Sequence, residues 1–236
     1  MLRFFNRPWY EPPTSWHDTE TTGLRIGHDK AVSAAIVRFE NQKPVAEISS
    51  YLDPGMPIPA EATAIHGVTN EMVKWAPTIE QFYARKDVLE LIDGTQPGAY
   101  NAPFDREFIP PIIDPWDWPW LDTLSFIRKF HRYVKGSKRH RLTAVCEREK
   151  IVLIDAHTAP ADARAAGLLF YTLGAKIPPN YTMGKLLGWQ KRIEAAEWER
   201  YHAWKASLPP LPDKEKNEEG NQGPTVSNSS GDNNQD

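Results

Sequence analysis

Two apolar, β-branched runs, AVSAAIVRFE (31–40) and PVAEISSYL (44–52), stand three residues apart around Asn41, Gln42 and Lys43. Runs of this kind pair as an antiparallel hairpin, and the apolar face they create must be covered by other elements. The third strand is expected in the segment leading into and through Asp18. The covering elements follow in the chain. PAEATAIHG (59–67), TNEMVKWA (69–76) and TIEQFYARKDVLELID (78–93) read as helical, with Thr69 and Thr78 as N-caps and Glu80 as early negative charge. Ile79, Phe82, Tyr83 and Leu89 give the last of these an amphipathic spacing.

GAYN (98–101) reads as a brief buried strand, and Pro103 opens a helix that must stop by Pro110 and Pro111. WLDTLSFIRKF (120–130) passes from strand to helix. LTAVCEREK (142–150) is a short helix, IVLI (151–154) a short extended piece, and ADARAAGLLFYTL (161–173) the clearest helix. Strands first, then alternating strand and helix, predict an α/β domain with a mixed sheet. That domain is expected over residues 1–176. A helical extension over 177–208 begins at the linker IPPN (177–180) and carries Trp189, Trp198, Tyr201 and Trp204 without one clean stripe. Residues 209–236 turn to Pro, Asn, Gly, Ser and Glu, which cannot offset ordering entropy by burial and predict a disordered tail.

Charge does not decide the partner. From Asp213 onward six acids face two lysines, a net −4, so residues 1–212 carry +1 of the chain's −3. A nucleic-acid enzyme needs only a local basic track. Cys146 is the only cysteine, which excludes an intrachain disulfide and suits a reducing compartment. MLRFFNRPWYEPP (1–13) lacks the apolar core of a signal peptide, and no stretch has membrane-spanning length, so a soluble, cytoplasmic protein is expected.

The chemistry concentrates in three segments: Asp18 and Glu20 in DTETTGL (18–24), Asp105 in YNAPFDREF (100–108), and His157 with Asp162 in HTAPADA (157–163). On a strand, residues two apart share a face, so the carboxylates of Asp18 and Glu20 converge while Thr19 and Thr21 point away. Asp105 and Asp162 fall near helix starts, where a structural carboxylate is commonplace. Asn101 and Thr158 are expected caps. Converging carboxylates can hold divalent cations, and a loop histidine can take a proton from water.

DTETTGL, AIHGVTNEMV, NAPFDREF, LDTL and HTAPADA, in this order over roughly residues 15–175, resemble the DEDDh 3′–5′ exonucleases. That family includes the proofreading epsilon subunit of bacterial DNA polymerase III, RNase T and oligoribonuclease. The step from His157 to Asp162 matches its histidine subclass. The resemblance implies an RNase H-like fold, a mixed five-stranded sheet flanked by helices. It also implies release of nucleoside 5′-monophosphates from the 3′ ends of nucleic acid, with two Mg²⁺ (or Mn²⁺) about 3.5–4 Å apart. Asp18 would bridge both ions, Glu20 and Asp162 would help hold the first, and Asp105 would hold the second, mostly through water. His157 would be the general base. Ile65, His66 and Gly67 would lie against the terminal nucleotide, with Thr21 and Leu24 as neighbours.

Two features depart from the family pattern. Pro12, Pro13, Thr14, Ser15, Trp16 and His17 make a polar approach to Asp18, predicting a short or irregular strand, and Tyr100 stands where histidine is frequent. His17 and His28 receive no role. RKFHRYVKGSKRHR (128–141) has seven basic residues and no acid. Its Lys138, Arg139 and Arg141 are expected on the nucleic-acid backbone. PWDWPW (115–120) reads as a core plug and loop. The expected function is a DNA 3′–5′ exonuclease in repair, replication or proofreading, acting on single-stranded 3′ ends. Its C-terminal helix would dock on a polymerase or other replication protein. The competing readings are an RNA-trimming exoribonuclease and a non-catalytic adaptor on the same fold.

Overall fold

The computed structural model describes residues 4–110, 119–134 and 136–207. The tail expected at 209–236, and residues 115–118 of the tryptophan-rich plug, lie outside the described residues. Five strands, β1 (Thr14–Thr21), β2 (Ala31–Glu40), β3 (Lys43–Tyr51), β4 (Gln96–Ala99) and β5 (Leu121–Asp122), form one sheet in the order β3-β2-β1-β4-β5. β1, β2 and β3 pair antiparallel, whereas β4 pairs parallel to both β1 and β5. The mixed five-stranded sheet is therefore present, and the hairpin turns at Asn41 and Gln42, both left-handed.

The described helices are α1 (Ala60–His66), α2 (Asn70–Val73), α3 (Ile79–Tyr83), α4 (Lys86–Ile92), α5 (Ala102–Asp105), α6 (Thr123–Phe130), α7 (Leu142–Glu149), α8 (Ala159–Leu173) and α9 (Met183–Ala206). Thr69 and Thr78 cap α2 and α3 as expected, and Gln81 completes a capping box with Thr78. The single helix expected over 78–93 is two: Arg85 takes an extended conformation and restarts the chain as α4. Asn101 and Thr158 occupy the expected cap positions, but neither side chain caps its helix. The Thr158 hydroxyl instead donates to the Asp155 carbonyl at 2.8 Å.

β1 is not the short strand of the expectation, although its register with β2 does shift between Glu20 and Thr21. It runs eight residues and is shielded almost throughout. Its polar side chains are satisfied internally. The Trp16 indole N–H donates to Thr14 Oγ1 at 2.9 Å, and Thr14 shares a 3.0 Å bond with the Tyr171 hydroxyl. His17 lies between Tyr83 and Ser15, 3.1 Å from each, and the Thr95 hydroxyl donates to Ser15 Oγ at 2.8 Å. A buried polar group that is hydrogen-bonded escapes most of its desolvation cost. Burial also pushes the His17 imidazole down to about 3, so it is neutral and belongs to the core.

One face of the sheet is covered by α8, whose Leu169, Phe170 and Leu173 pack with Trp16, Phe39 and Phe126. A Cβ at Gly167 would sit 2.7 Å from both Phe39 and Trp16, so this glycine sets how closely α8 approaches the sheet. The other face is covered by Phe82, Tyr83, Val88 and Trp120. The first half of α9 joins the α8 side through Met183, Leu186, Leu187 and Ile193. Its Gln190 side chain accepts from the Asp122 N–H and donates to the Trp120 carbonyl, both at 2.9 Å. Trp198, Tyr201 and Trp204, further along, are exposed.

Candidate active site

The C-terminal half of β1 is paired on one side only, because β4 stops opposite His17 while β2 continues. Asp18 and Glu20 emerge there. The N-terminus of α8 brings Asp162 to the same place, and carboxylate oxygens of the three residues lie within 4.8 Å of one another. Asp105, at the end of α5, approaches from the β4 side. Both the N–H and the hydroxyl of Thr19 donate to its Oδ1, at 3.1 and 3.0 Å. Thr19 thus faces away from Asp18 yet fixes the fourth acid.

Four carboxylates packed together resist ionisation. Burial, then Asp105, Asp162 and Glu20, hold Asp18 well above its ordinary range. Burial, with Asp162 and Asp105, pushes Glu20 up to about 8. Burial pushes Asp105 up to about 7 against the Thr19 hydrogen bonds. Asp162 rises to about 6 through burial, held back by His157. Its Oδ1 is buried without a hydrogen-bond partner. Clustered, under-neutralised oxygen donors with an orphaned carboxylate oxygen fit hard divalent cations such as Mg²⁺ or Mn²⁺.

His157 sits on the loop before α8, exposed, with a left-handed backbone (φ 66°), as has Asp155 (φ 58°). It lines a groove of about 950 Å³ together with Glu20, His66, Gly67 and Arg164. Gly67 ends α1 in the left-handed conformation (φ 73°) that favours glycine. The Val68 N–H donates to His66 Nδ1 at 3.0 Å, and burial lowers the pKa of this ring. Of the expected substrate contacts, His66 lines the groove and Thr21, Leu24 and Ile65 do not. Thr21 is buried, its hydroxyl donating to the Gly23 carbonyl, while Leu24 and Ile65 are exposed. His28 bonds Arg25 and Asp29.

The basic loop divides. Arg141 lines a smaller cavity of about 470 Å³ with Tyr100, Asn101, Leu124, Arg128 and His140, whereas Lys138 and Arg139 are exposed outside it. The Tyr100 hydroxyl donates to the His140 carbonyl at 2.5 Å, tying this loop to the end of β4. The sequence reading missed Thr19, Arg164 and Glu47. It also left Asp122 without a role. That carboxylate accepts from the N–H groups of Ala102 and Ser125 and so joins α5 to α6. The Asp122–Ser125 spacing was the signal for it.

A mixed sheet whose central strand carries two acids, completed by an acid on a crossing helix, is the frame of an RNase H-like exonuclease. Residues 15–170 match the RNase T family model, described as an exonuclease. The chain belongs to this family of 3′–5′ exonucleases. It is 31% identical over 186 residues to the DNA polymerase III PolC-type protein of Latilactobacillus sakei, an alignment covering 77% of this chain and 12% of that one. It is 37% identical over 165 residues to a DNA polymerase III subunit epsilon-like protein of Rhodobacter capsulatus, covering 66% of this chain and 23% of that one. The chain thus spans under a quarter of these relatives' lengths. Among solved structures, Exonuclease X in complex with 5′ overhanging duplex DNA is 26% identical with a TM-score of 0.56, covering 74% of this chain and 99% of that one. E. coli Exonuclease I with a dT13 oligonucleotide shares the fold, with a TM-score of 0.58 at 21% identity over 71% of this chain and 41% of that one. Among the described residues no helix is long and apolar enough to cross a membrane.

Proposed function

We propose that this chain hydrolyses DNA from its 3′ end, releasing nucleoside 5′-monophosphates, with His157 as the general base. The observation that carries the reading is the convergence of Asp18, Glu20 and Asp162 beside a groove that also holds His157. Asp18 would be shared between two cations, with Glu20 and Asp162 completing one and Asp105 orienting the other. Bound Mg²⁺ or Mn²⁺ would supply the positive charge that lets these acids ionise near neutrality and stabilises charge developing on the phosphate. Thr19 keeps Asp105 aimed inward. The His157 ring, exposed on the loop before α8, accepts the proton of the attacking water. The wall formed by His66 and Gly67 holds the sugar and base of the terminal nucleotide, and Arg141, beside Asn101, contacts the backbone upstream. Lys138 and Arg139 add long-range attraction to the strand. DNA is preferred over RNA because the relatives are DNA polymerase III proteins and Exonuclease X is seen with duplex DNA.

The test is digestion of 5′-labelled DNA and RNA oligonucleotides with and without Mg²⁺, alongside Asp18→Ala and His157→Ala. Stepwise shortening of DNA that requires the metal and Asp18 is expected. His157→Ala should still bind Mn²⁺ by calorimetry while turnover falls about 10²–10⁴-fold, the range for loss of a general base. Faster digestion of RNA would transfer the reading to an exoribonuclease. Inactivity on every substrate would favour the adaptor.

A further inference from the structure

Of the four site acids, Asp105 rests on the shortest element. Asp18 and Glu20 stand on a strand of eight residues and Asp162 on a helix of fifteen, whereas α5 has four. A helix so short does not hold itself and must be fixed from outside. Its donors show where. Pro103 has no N–H, and those of Phe104 and Asp105 donate to the Asn101 carbonyl at 2.8 and 3.4 Å. That leaves the N–H of Ala102, a buried residue, in need of an acceptor. The Asn101 side chain, at the cap position, does not supply it. Asp122, twenty positions later, does, with Oδ1 at 3.2 Å. Its Oδ2 belongs to α6, accepting from both the N–H and the hydroxyl of Ser125. The Asp122 backbone is itself held, since its N–H donates to Gln190 of α9. Only a carboxylate offers two acceptor oxygens, one for each helix, which accounts for a buried aspartate here.

We propose that Asp122 is a positioning residue for Asp105. Its Oδ1 anchors the start of α5, and the two Thr19 bonds fix the carboxylate at the end, so Asp105 meets a cation with its direction already set. The inference rests on the exonuclease reading above, which gives Asp105 to one of two cations. A ligand oriented in advance gives up less freedom on binding, and the groups that orient metal ligands typically carry about 10–100-fold of affinity. Asp122 touches neither metal nor substrate. It acts through the four residues of α5.

The experiment separates the link to α5 from the link to α6. In Asp122→Asn the amide has one oxygen, which the two Ser125 donors draw toward α6, so its NH₂ group faces the Ala102 N–H. Ala102→Pro deletes the same donor from the other side, at a first helical position that suits proline. Should either variant fail to fold, the other still decides. Ser125→Ala loosens α6 and leaves α5 anchored. Leu173→Ala, fully buried at the far end of α8, lowers stability without touching the link. Mn²⁺ calorimetry on the full chain should show one of two cations weakened about 10–100-fold in Asp122→Asn and Ala102→Pro, and neither weakened in Ser125→Ala or Leu173→Ala. In DNA digestion, the Mg²⁺ concentration giving half-maximal rate should rise by the same factor in the first two variants. Their kcat should recover at high Mg²⁺, with KM for DNA little moved. Wild-type Mn²⁺ affinity in Asp122→Asn and Ala102→Pro overturns the positioning role. Equal weakening in Ser125→Ala or Leu173→Ala also overturns it, by tracing the effect to packing alone. A wild type that binds two Mn²⁺ but digests no nucleic acid overturns the exonuclease reading and leaves the anchor of Asp105 standing. A wild type that binds no Mn²⁺ overturns both.

Discussion

Stripping divalent cations and raising the pH from about 6.5 to about 8.5 should cost the folded protein about 1–2 kcal/mol. Glu20 has an ordinary value of 4.5 and a folded value of about 8. In that window the unfolded chain has already lost this proton, while the native state still holds it. The native state therefore binds more protons, and its stability must fall as the pH rises. At 1.36 kcal/mol per pH unit, the interval from about 6.5 to about 8 gives a ceiling of about 2 kcal/mol for Glu20. Asp105, at about 7, adds in the same direction. Because Glu20 is only partly shielded, solvent screening brings the expected loss below the ceiling. Above about pH 6.5 the buried His17, neutral in the fold, contributes no opposing slope. The assay is urea denaturation in EDTA at several pH values, for the wild type and Glu20→Gln. Glu20→Gln should flatten the slope, and added Mg²⁺ should restore wild-type stability at the alkaline end. Stability that is flat or rises with pH in EDTA, or an unchanged slope in Glu20→Gln, would refute the account of mutually repelling acids.

Gly167→Ala should destabilise by about 1–3 kcal/mol, the usual cost of overpacking, since its Cβ would meet Phe39 and Trp16 at 2.7 Å. Thermal melting would show this, and an unshifted midpoint would mean that α8 moves away freely. Leu186→Ala should cost about 2–5 kcal/mol, because that side chain is fully buried where α9 meets the sheet's α8 side. A cost within about 0.5 kcal/mol, as at a surface site, would show α9 to be a loose appendage.

The hairpin of β2 and β3 was legible because its strands are continuous apolar or alternating runs, a signal that needs no knowledge of neighbours. β1 was misread for the opposite reason. Thr14, Ser15 and His17 look like solvent-facing residues until Tyr171, Thr95 and Tyr83, distant in sequence, arrive to bond them. The break at Arg85 carries no glycine or proline and was invisible to periodicity. At the candidate site, the acids and His157 were legible as ordered motifs, since each acid sits at a strand end or in the first turn of a helix and His157 on the loop leading into α8. Arg164 and Glu47 were not, because a separation of 117 positions leaves no local pattern. Thr19 escaped because alternation gives the face of a side chain but not the partner waiting there.

The internal bonds of β1 also bear on how the chain avoids folding wrongly. Sliding a strand by one residue exchanges its two faces. A uniformly apolar strand could tolerate such a slip, burying one greasy residue in place of another. Here the slip would strand Thr14, Ser15, Trp16 and His17 away from their partners in the interior, each an uncompensated polar group. It would also turn Asp18 and Glu20 into the core. The misfolded alternative is thus penalised at every step along the strand, and the polar residues that make β1 hard to recognise are the ones that leave it a single way to pair.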